Sequence, residues 1–187
     1  MKRNILSFDA ETNGLYGKPF AVAGIVLAEN GTEIARFVGR CPIEKEDWEK
    51  EVVINSWVAE NVMPQMAGIP EKYGSYKDLL AAFVDFYMAH KEGADVIVHM
   101  GVPVEARLFL DARKMDLIGD FDGPFPLIDI AAFPEIGTSV DSYNAKHWIT
   151  PDPAEFEGGT HNPLYDSVAA LNAYKHWVRE YLQSWQI

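Results

Sequence analysis

The stretch Asn4-Ile5-Leu6-Ser7-Phe8-Asp9-Ala10-Glu11-Thr12 decides the fold. Residues 4–11 read as a β-strand, and because side chains alternate across a strand, Asp9 and Glu11 leave one face while Phe8 and Ala10 leave the other. Two carboxylates on one face can reach one cation, and charges at the end of an Ile-Leu-Phe strand are costly without one. An apolar run over 20–28 follows, then Glu29-Asn30-Gly31-Thr32, then Glu33-Ile34-Ala35-Arg36-Phe37-Val38. Asn-Gly between apolar runs is the favoured signal for a tight antiparallel hairpin. The chain is therefore predicted to open with three antiparallel strands.

Beyond an acidic elaboration over about 42–74, strand and helix signals alternate. Ser75 with Asp78 three residues on starts a helix whose Tyr76, Leu79, Leu80, Phe83 and Tyr87 recur at helical spacing until Gly93. Asp95-Val96-Ile97-Val98-His99 suits a buried strand, and Pro103 suits the first turn of a helix running through Met115. Phe125-Pro126-Leu127-Ile128-Asp129-Ile130 reads as another strand, followed by weaker helical signals over 142–148. The last helix has Asn162 as N-cap, Pro163 as first residue and an apolar stripe of Leu164, Val168, Leu171, Val178 and Leu182. Its approach, 151–160, is the most breaker-rich part of the chain and is predicted to be mobile. The expectation is an α/β fold in one domain spanning 1–187: a mixed central sheet, antiparallel in its first three strands and parallel after them, flanked by helices.

Composition narrows the function classes. With 187 residues, 48% of them hydrophobic, the chain can bury one substantial core. No apolar run approaches the roughly 18 residues that span a bilayer, and no secretory cleavage pattern is seen, so a soluble, cytoplasmic protein is expected. The single cysteine, Cys41, excludes an internal disulfide and a cysteine-based zinc site. A net charge of −12 argues against gripping long duplex nucleic acid through a basic surface, but is compatible with contact to a few terminal nucleotides.

Three separated stretches carry the chemistry: Asp9 and Glu11, then Glu105 in Val104-Glu105-Ala106-Arg107, then His161 and Asp166 in His161-Asn162-Pro163-Leu164-Tyr165-Asp166. They fall where strands end and helices begin. Oxygen ligand sets suit hard divalent ions such as magnesium or manganese, and an imidazole beside such ions can take a proton from water near neutral pH. The chemistry indicated is metal-assisted hydrolysis. Asp95 and Asp111 are the other acids near the middle stretch and read as surface charges; His90, His99, His147 and His176 read as structural or exposed.

On these residues the chain resembles the DEDDh 3′-to-5′ exonucleases of the ribonuclease H-like superfamily, which include oligoribonuclease, ribonuclease T and proofreading subunits, and among them small bacterial and phage exoribonuclease-like members. Phe8-Asp9-Ala10-Glu11-Thr12-Asn13-Gly14-Leu15 looks like the first motif, and His161 to Asp166 has the spacing of the third. The second is altered: Gly101 and Glu105 stand where an Asn and an Asp are usual. The resemblance implies a ribonuclease H-like fold and two Mg2+ or Mn2+ ions per site held by Asp9, Glu11, Glu105 and Asp166, with Asp9 bridging both and His161 as general base. It also implies that Thr12 holds the terminal 3′-hydroxyl through backbone groups and that Leu15 wedges against the last bases, core packing being the alternative for Leu15. The implied partners are 3′ ends of single-stranded RNA or DNA, with RNA ahead, and a second copy of the chain. Trp57, Phe156 and Tyr165 are stacking candidates, although tryptophans in a small domain mostly mean core. Arg107 and Lys146 are phosphate candidates. Two rivals stand beside this: a nucleic-acid-binding or scaffold domain that has lost catalysis, and a metal hydrolase of small phosphoesters.

Overall fold

The computed structural model describes residues 3–46 and 48–182. The opening run forms β1 (Asn4–Thr12), paired antiparallel with β2 (Pro19–Leu27), which pairs antiparallel with β3 (Glu33–Arg40). The connection at Asn30-Gly31 is a three-residue loop rather than the two-residue turn its sequence predicts. Gly31 N–H donates to Ala28 O at 2.8 Å, and Gly31 closes the loop at φ 87°, a left-handed conformation that glycine adopts without a Cβ clash.

Two parallel strands extend the other edge: β4 (Ala94–Val98) pairs with β1, and β5 (Ile128–Asp129) with β4, giving the order β3-β2-β1-β4-β5. The architecture is α/β with a mixed sheet, as expected. The strand predicted over 125–130 shrinks to two residues. Pro126 has no N–H for a ladder, and Asp129, the last strand residue, caps the helical turn Ile130–Ala132 by accepting from Ala131 N–H at 3.0 Å.

The helices are α1 (Tyr76–His90), α2 (Val104–Lys114), α3 (Val140–Lys146) and α4 (Pro163–Trp177). Ser75 caps α1 by accepting from Asp78 N–H at 3.1 Å, and Asn162 caps α4 by accepting from Leu164 and Tyr165 N–H at 3.0 and 3.4 Å. Ser139 rather than Ser142 starts α3. The 42–74 elaboration carries two short helical turns, Val58–Val62 and Met63–Met66, that bury Val58, Val62 and Met66. The side chain of Leu182, the last of the predicted stripe, lies outside the described residues. No helix among the described residues is long and apolar enough to cross a membrane.

Side-chain alternation along β1 splits the interior into two cores. Leu6, Phe8 and Ala10 face the α1 and α2 layer, where Phe8 lies 5.2 Å from Phe83 and 5.7 Å from Phe109, ring centre to ring centre. Ile5 belongs to the opposite core with Tyr143, Tyr165, Ala169 and Leu171 of α3 and α4. Small residues let α4 come close to the sheet: Ser7 Oγ donates to Ser167 O at 2.8 Å, and Ser167 Oγ donates to Pro163 O at 2.6 Å and Ala23 O at 3.3 Å. The next residues on that face of β1, Asp9 and Glu11, consequently project toward the N-terminal end of α4.

Candidate functional site

Glu11, His161 and Asp166 each offer a ligand atom within 4.8 Å of the others. Strand β1 supplies the first. The other two come from the start of α4, where Asp166 Oδ2 accepts from the backbone N–H of His161 at 2.8 Å and so ties the two residues together. His161 Nδ1 faces Glu11 Oε1 at 3.7 Å, an ion-pair separation too long for a hydrogen bond. His161 is held at φ 73°, a left-handed conformation unfavourable for a residue with a Cβ, which Met100, Asp116, Trp148 and Glu157 also adopt.

Glu105 arrives from the opposite layer. Pairing of β4 with β1 stops at Ser7↔Ile97, so β1 outruns its neighbour and leaves Ala10 N–H without a strand partner. Buried Glu105, in the first turn of α2, accepts that N–H through Oε1 at 3.1 Å. A Cβ on Gly101 would fall 2.4 Å from Cγ2 of buried Val98, so the asparagine expected there cannot fit unless Val98 moves. Gly101 N–H instead donates to Asp129 Oδ2 at 3.0 Å.

The four acids crowd one another. Burial, then the charges of Glu105, Asp166 and Glu11, drive Asp9 well above the usual carboxylate range. Burial raises Glu11 too, against the lowering contact with His161. Glu105 and Asp166 are each pushed up to about 8, by burial first and by neighbouring acids second, although backbone N–H groups pull the other way. The contact with Glu11 raises His161 against a partial desolvation that lowers it. Among the described residues none of the four acids is ion-paired with a lysine or arginine, and His161, when protonated, is the cation that faces Glu11. Oxygen donors in this number, buried and uncompensated, fit a hard divalent cation, which would remove the repulsion.

No protein-family model matches this chain, and no curated protein does. What the site can do follows from its own geometry.

The breaker-rich approach to His161 is anchored rather than loose. Gly159 N–H donates to Gln65 Oε1 at 2.9 Å, Asn162 Nδ2 to Gln65 O at 3.2 Å and to Phe156 O at 3.0 Å, and Thr160 Oγ1 to Asp141 Oδ2 at 3.1 Å. Asp141, in the first turn of α3, is a residue the sequence does not single out. Its charge acts on both His161 and Asp166, yet no motif spacing connects it to them.

Exposed apolar side chains follow β1 in the chain and border His161. Leu15 is 58% exposed, which excludes the core-packing alternative, and buried Thr12 lies just before it. Trp57 is 52% exposed with its ring edge-on to His161, centres 5.0 Å apart. Tyr165 is 4% exposed and packs against Phe156 within the α4 core, so it is no stacking platform. The expectation that tryptophan means core fails: Trp48, Trp57 and Trp148 are all exposed. Trp185 lies outside the described residues.

Arg107, a phosphate candidate by sequence, has its donors committed to Asp111, Glu46 and the carbonyls of Tyr16 and Gly17, while Lys146 is exposed on α3. Asp111 is not a surface charge but buried, bonded by Tyr76, Arg107 and Lys114; Asp95 pairs with Arg3 and Tyr174. His99 bonds Gly137 O, and His147 stacks on His176. Cys41 is buried, and its thiol is pushed up to about 12 by that burial and by Glu44 and Glu71, which leaves it unreactive near neutral pH.

Glu105 holds Ala10 N–H, and substitution separates that contact from the metal ligation expected of it. Glu105→Gln keeps an acceptor for Ala10 N–H and is expected to retain the wild-type melting temperature within a few degrees while weakening manganese binding. Glu105→Ala orphans a buried N–H and is expected to cost about 1–3 kcal/mol of stability as well. Thermal melts and a manganese titration of both variants check this; equal stability of the two would remove the strand-holding role.

Proposed function

We propose that the chain is a metal-dependent 3′-to-5′ exonuclease of ribonuclease H-like type, hydrolysing phosphodiester bonds at the ends of single-stranded nucleic acid, with RNA ahead of DNA. The observation that carries this is the convergence of Asp9, Glu11, Glu105 and Asp166, drawn from β1, α2 and α4, on one acidic cluster with a half-exposed imidazole at its edge. Bound Mg2+ or Mn2+ ions would neutralise these acids, bring His161 back toward neutrality and polarise both phosphate and water.

The chain's own residues do the rest. His161, fixed by its N–H bond to Asp166 and steadied by Trp57, takes a proton from water. The water oxygen then attacks phosphorus, the bond to the preceding 3′-oxygen breaks with its electron pair on that oxygen, which takes a proton from solvent to become the new 3′-hydroxyl, and a nucleoside 5′-monophosphate leaves. Leu15 and Trp57 offer apolar surface to unstacked bases, which a duplex end does not present. The scarcity of free cations around the acids favours a short contact with the terminus over tracking along a polymer.

A second reading is a binding domain without catalysis. The Glu105 contact with Ala10 N–H favours it, because that acid serves the fold whether or not an ion is present. Incubating 5′-labelled single-stranded RNA and DNA with the protein decides between them. A ladder that shortens from the 3′ end with manganese, and not with chelator, is the expected result; retention of the label on intact strands under all conditions favours the binding domain. Cleavage of a nitrophenyl phosphodiester in preference to oligonucleotides points to a small-phosphoester hydrolase.

A further inference from the structure

Arg107 sits two residues after Glu105, yet its guanidinium turns away from the acids. It is anchored by two buried carboxylates, with Nη2 2.9 Å from Glu46 Oε1 and Nε 2.9 Å from Asp111 Oδ2. From there Nη1 donates to Tyr16 O at 2.6 Å and Gly17 O at 3.1 Å. The planar fork lets one side chain bind two acids and two carbonyls, which a lysine ammonium cannot reproduce.

The loop it holds follows Glu11 directly and carries two large side chains in solvent, Leu15 at 58% and Tyr16 at 71% exposure. Its other flank is clasped as well. Asn13 Nδ2 donates to Val53 O, and Asn55 N–H donates to Asn13 Oδ1, each at 2.9 Å, which ties the loop to the segment leading to Trp57 and hence to His161. A surface loop fixed at both sides by polar bonds while its apolar tips remain uncovered is preorganised for contact with something outside the chain.

We infer that Arg107 is a positioning residue that sets the Tyr16 backbone so that the Tyr16 ring stands ready to stack on an unpaired base of the substrate. This rests on the exonuclease reading of the acidic cluster. Arg107 touches neither substrate nor metal; it acts through the loop. Its anchor Asp111 on α2, with Glu46 from the 42–74 segment, also gives the helix that bears Glu105 and the loop that meets the base one shared support.

A double-mutant cycle tests it, with Arg107→Lys and Tyr16→Ala measured singly and together on a short single-stranded oligonucleotide. Readouts are kcat and KM with manganese, and anisotropy binding of the labelled oligonucleotide with calcium. Each single variant is expected to raise KM and the dissociation constant on the order of tenfold, as loss of one base–aromatic contact does, with kcat within about twofold. The double variant is expected to be no worse than Tyr16→Ala alone. An unchanged KM in Arg107→Lys, or a full additional factor on top of Tyr16→Ala, overturns the inference while the exonuclease reading stands. If wild type neither cleaves nor binds, both fall. Should Arg107→Lys fail to fold, Arg107→Gln takes its place in the cycle under the same criteria, and an unchanged KM in Tyr16→Ala ends the proposal in either case.

Discussion

His161→Ala is expected to lower turnover of a single-stranded oligonucleotide by roughly 10²–10⁴-fold, the usual weight of a positioned general base, while manganese still binds. Binding survives because the backbone N–H of residue 161, which contacts Asp166, remains, and because the four acids are untouched. Asp9→Ala reports the other half of the site. It removes the buried acid on which the charges of Glu105, Asp166 and Glu11 all act and is expected to lose metal affinity and turnover together. Calorimetric manganese titration alongside single-turnover kinetics checks both. Near-normal turnover in His161→Ala would refute the base assignment, and loss of metal binding in that variant would make the imidazole a ligand instead.

The second large effect is on stability. Glu105 and Asp166 titrate near 8 in the folded, metal-free chain but near about 4 once unfolded. Between those values the folded state holds protons that the unfolded state has released, so stability falls as pH rises, opposite to the behaviour of a salt-bridged carboxylate. Metal-free protein is expected to melt several degrees lower near pH 8 than near pH 5, at roughly 2–4 °C per kcal/mol for a chain of this size. Manganese should restore most of that loss at the higher pH, because it binds the folded arrangement. It should do less at the lower pH, where protons occupy the same oxygens. A melting temperature flat across this range with chelator present would mean that the acids do not share a buried cluster.

Much of this arrangement was legible in the chain. Period-two alternation through Phe8-Asp9-Ala10-Glu11 places the two acids on one face because a strand leaves no other choice, and the Asn162-Pro163 start of α4 fixes where His161 and Asp166 must stand. Glu105 was legible as a candidate, but its bond to Ala10 was not. That contact depends on β4 stopping five residues short of the end of β1, a register between segments some 90 residues apart in sequence. Arg107 was misread for a similar reason. A cation two residues from a site acid looks like a phosphate ligand until the helix turns it toward Glu46 and Asp111. The exposure of Trp57 and Trp148 escaped composition because the cores on both faces of the sheet are filled by phenylalanine, tyrosine and aliphatic residues.

The left-handed backbone at residue 161 shows what the chain gives up for its imidazole. A glycine would adopt φ 73° without steric conflict, whereas an L side chain there costs on the order of 1–2 kcal/mol, a sizeable fraction of a typical domain's net stability. The fold thus tolerates a locally unfavourable residue at the junction of loop and helix, as it also does at Met100, Asp116, Trp148 and Glu157, and of these five only residue 161 carries the side chain proposed as the base.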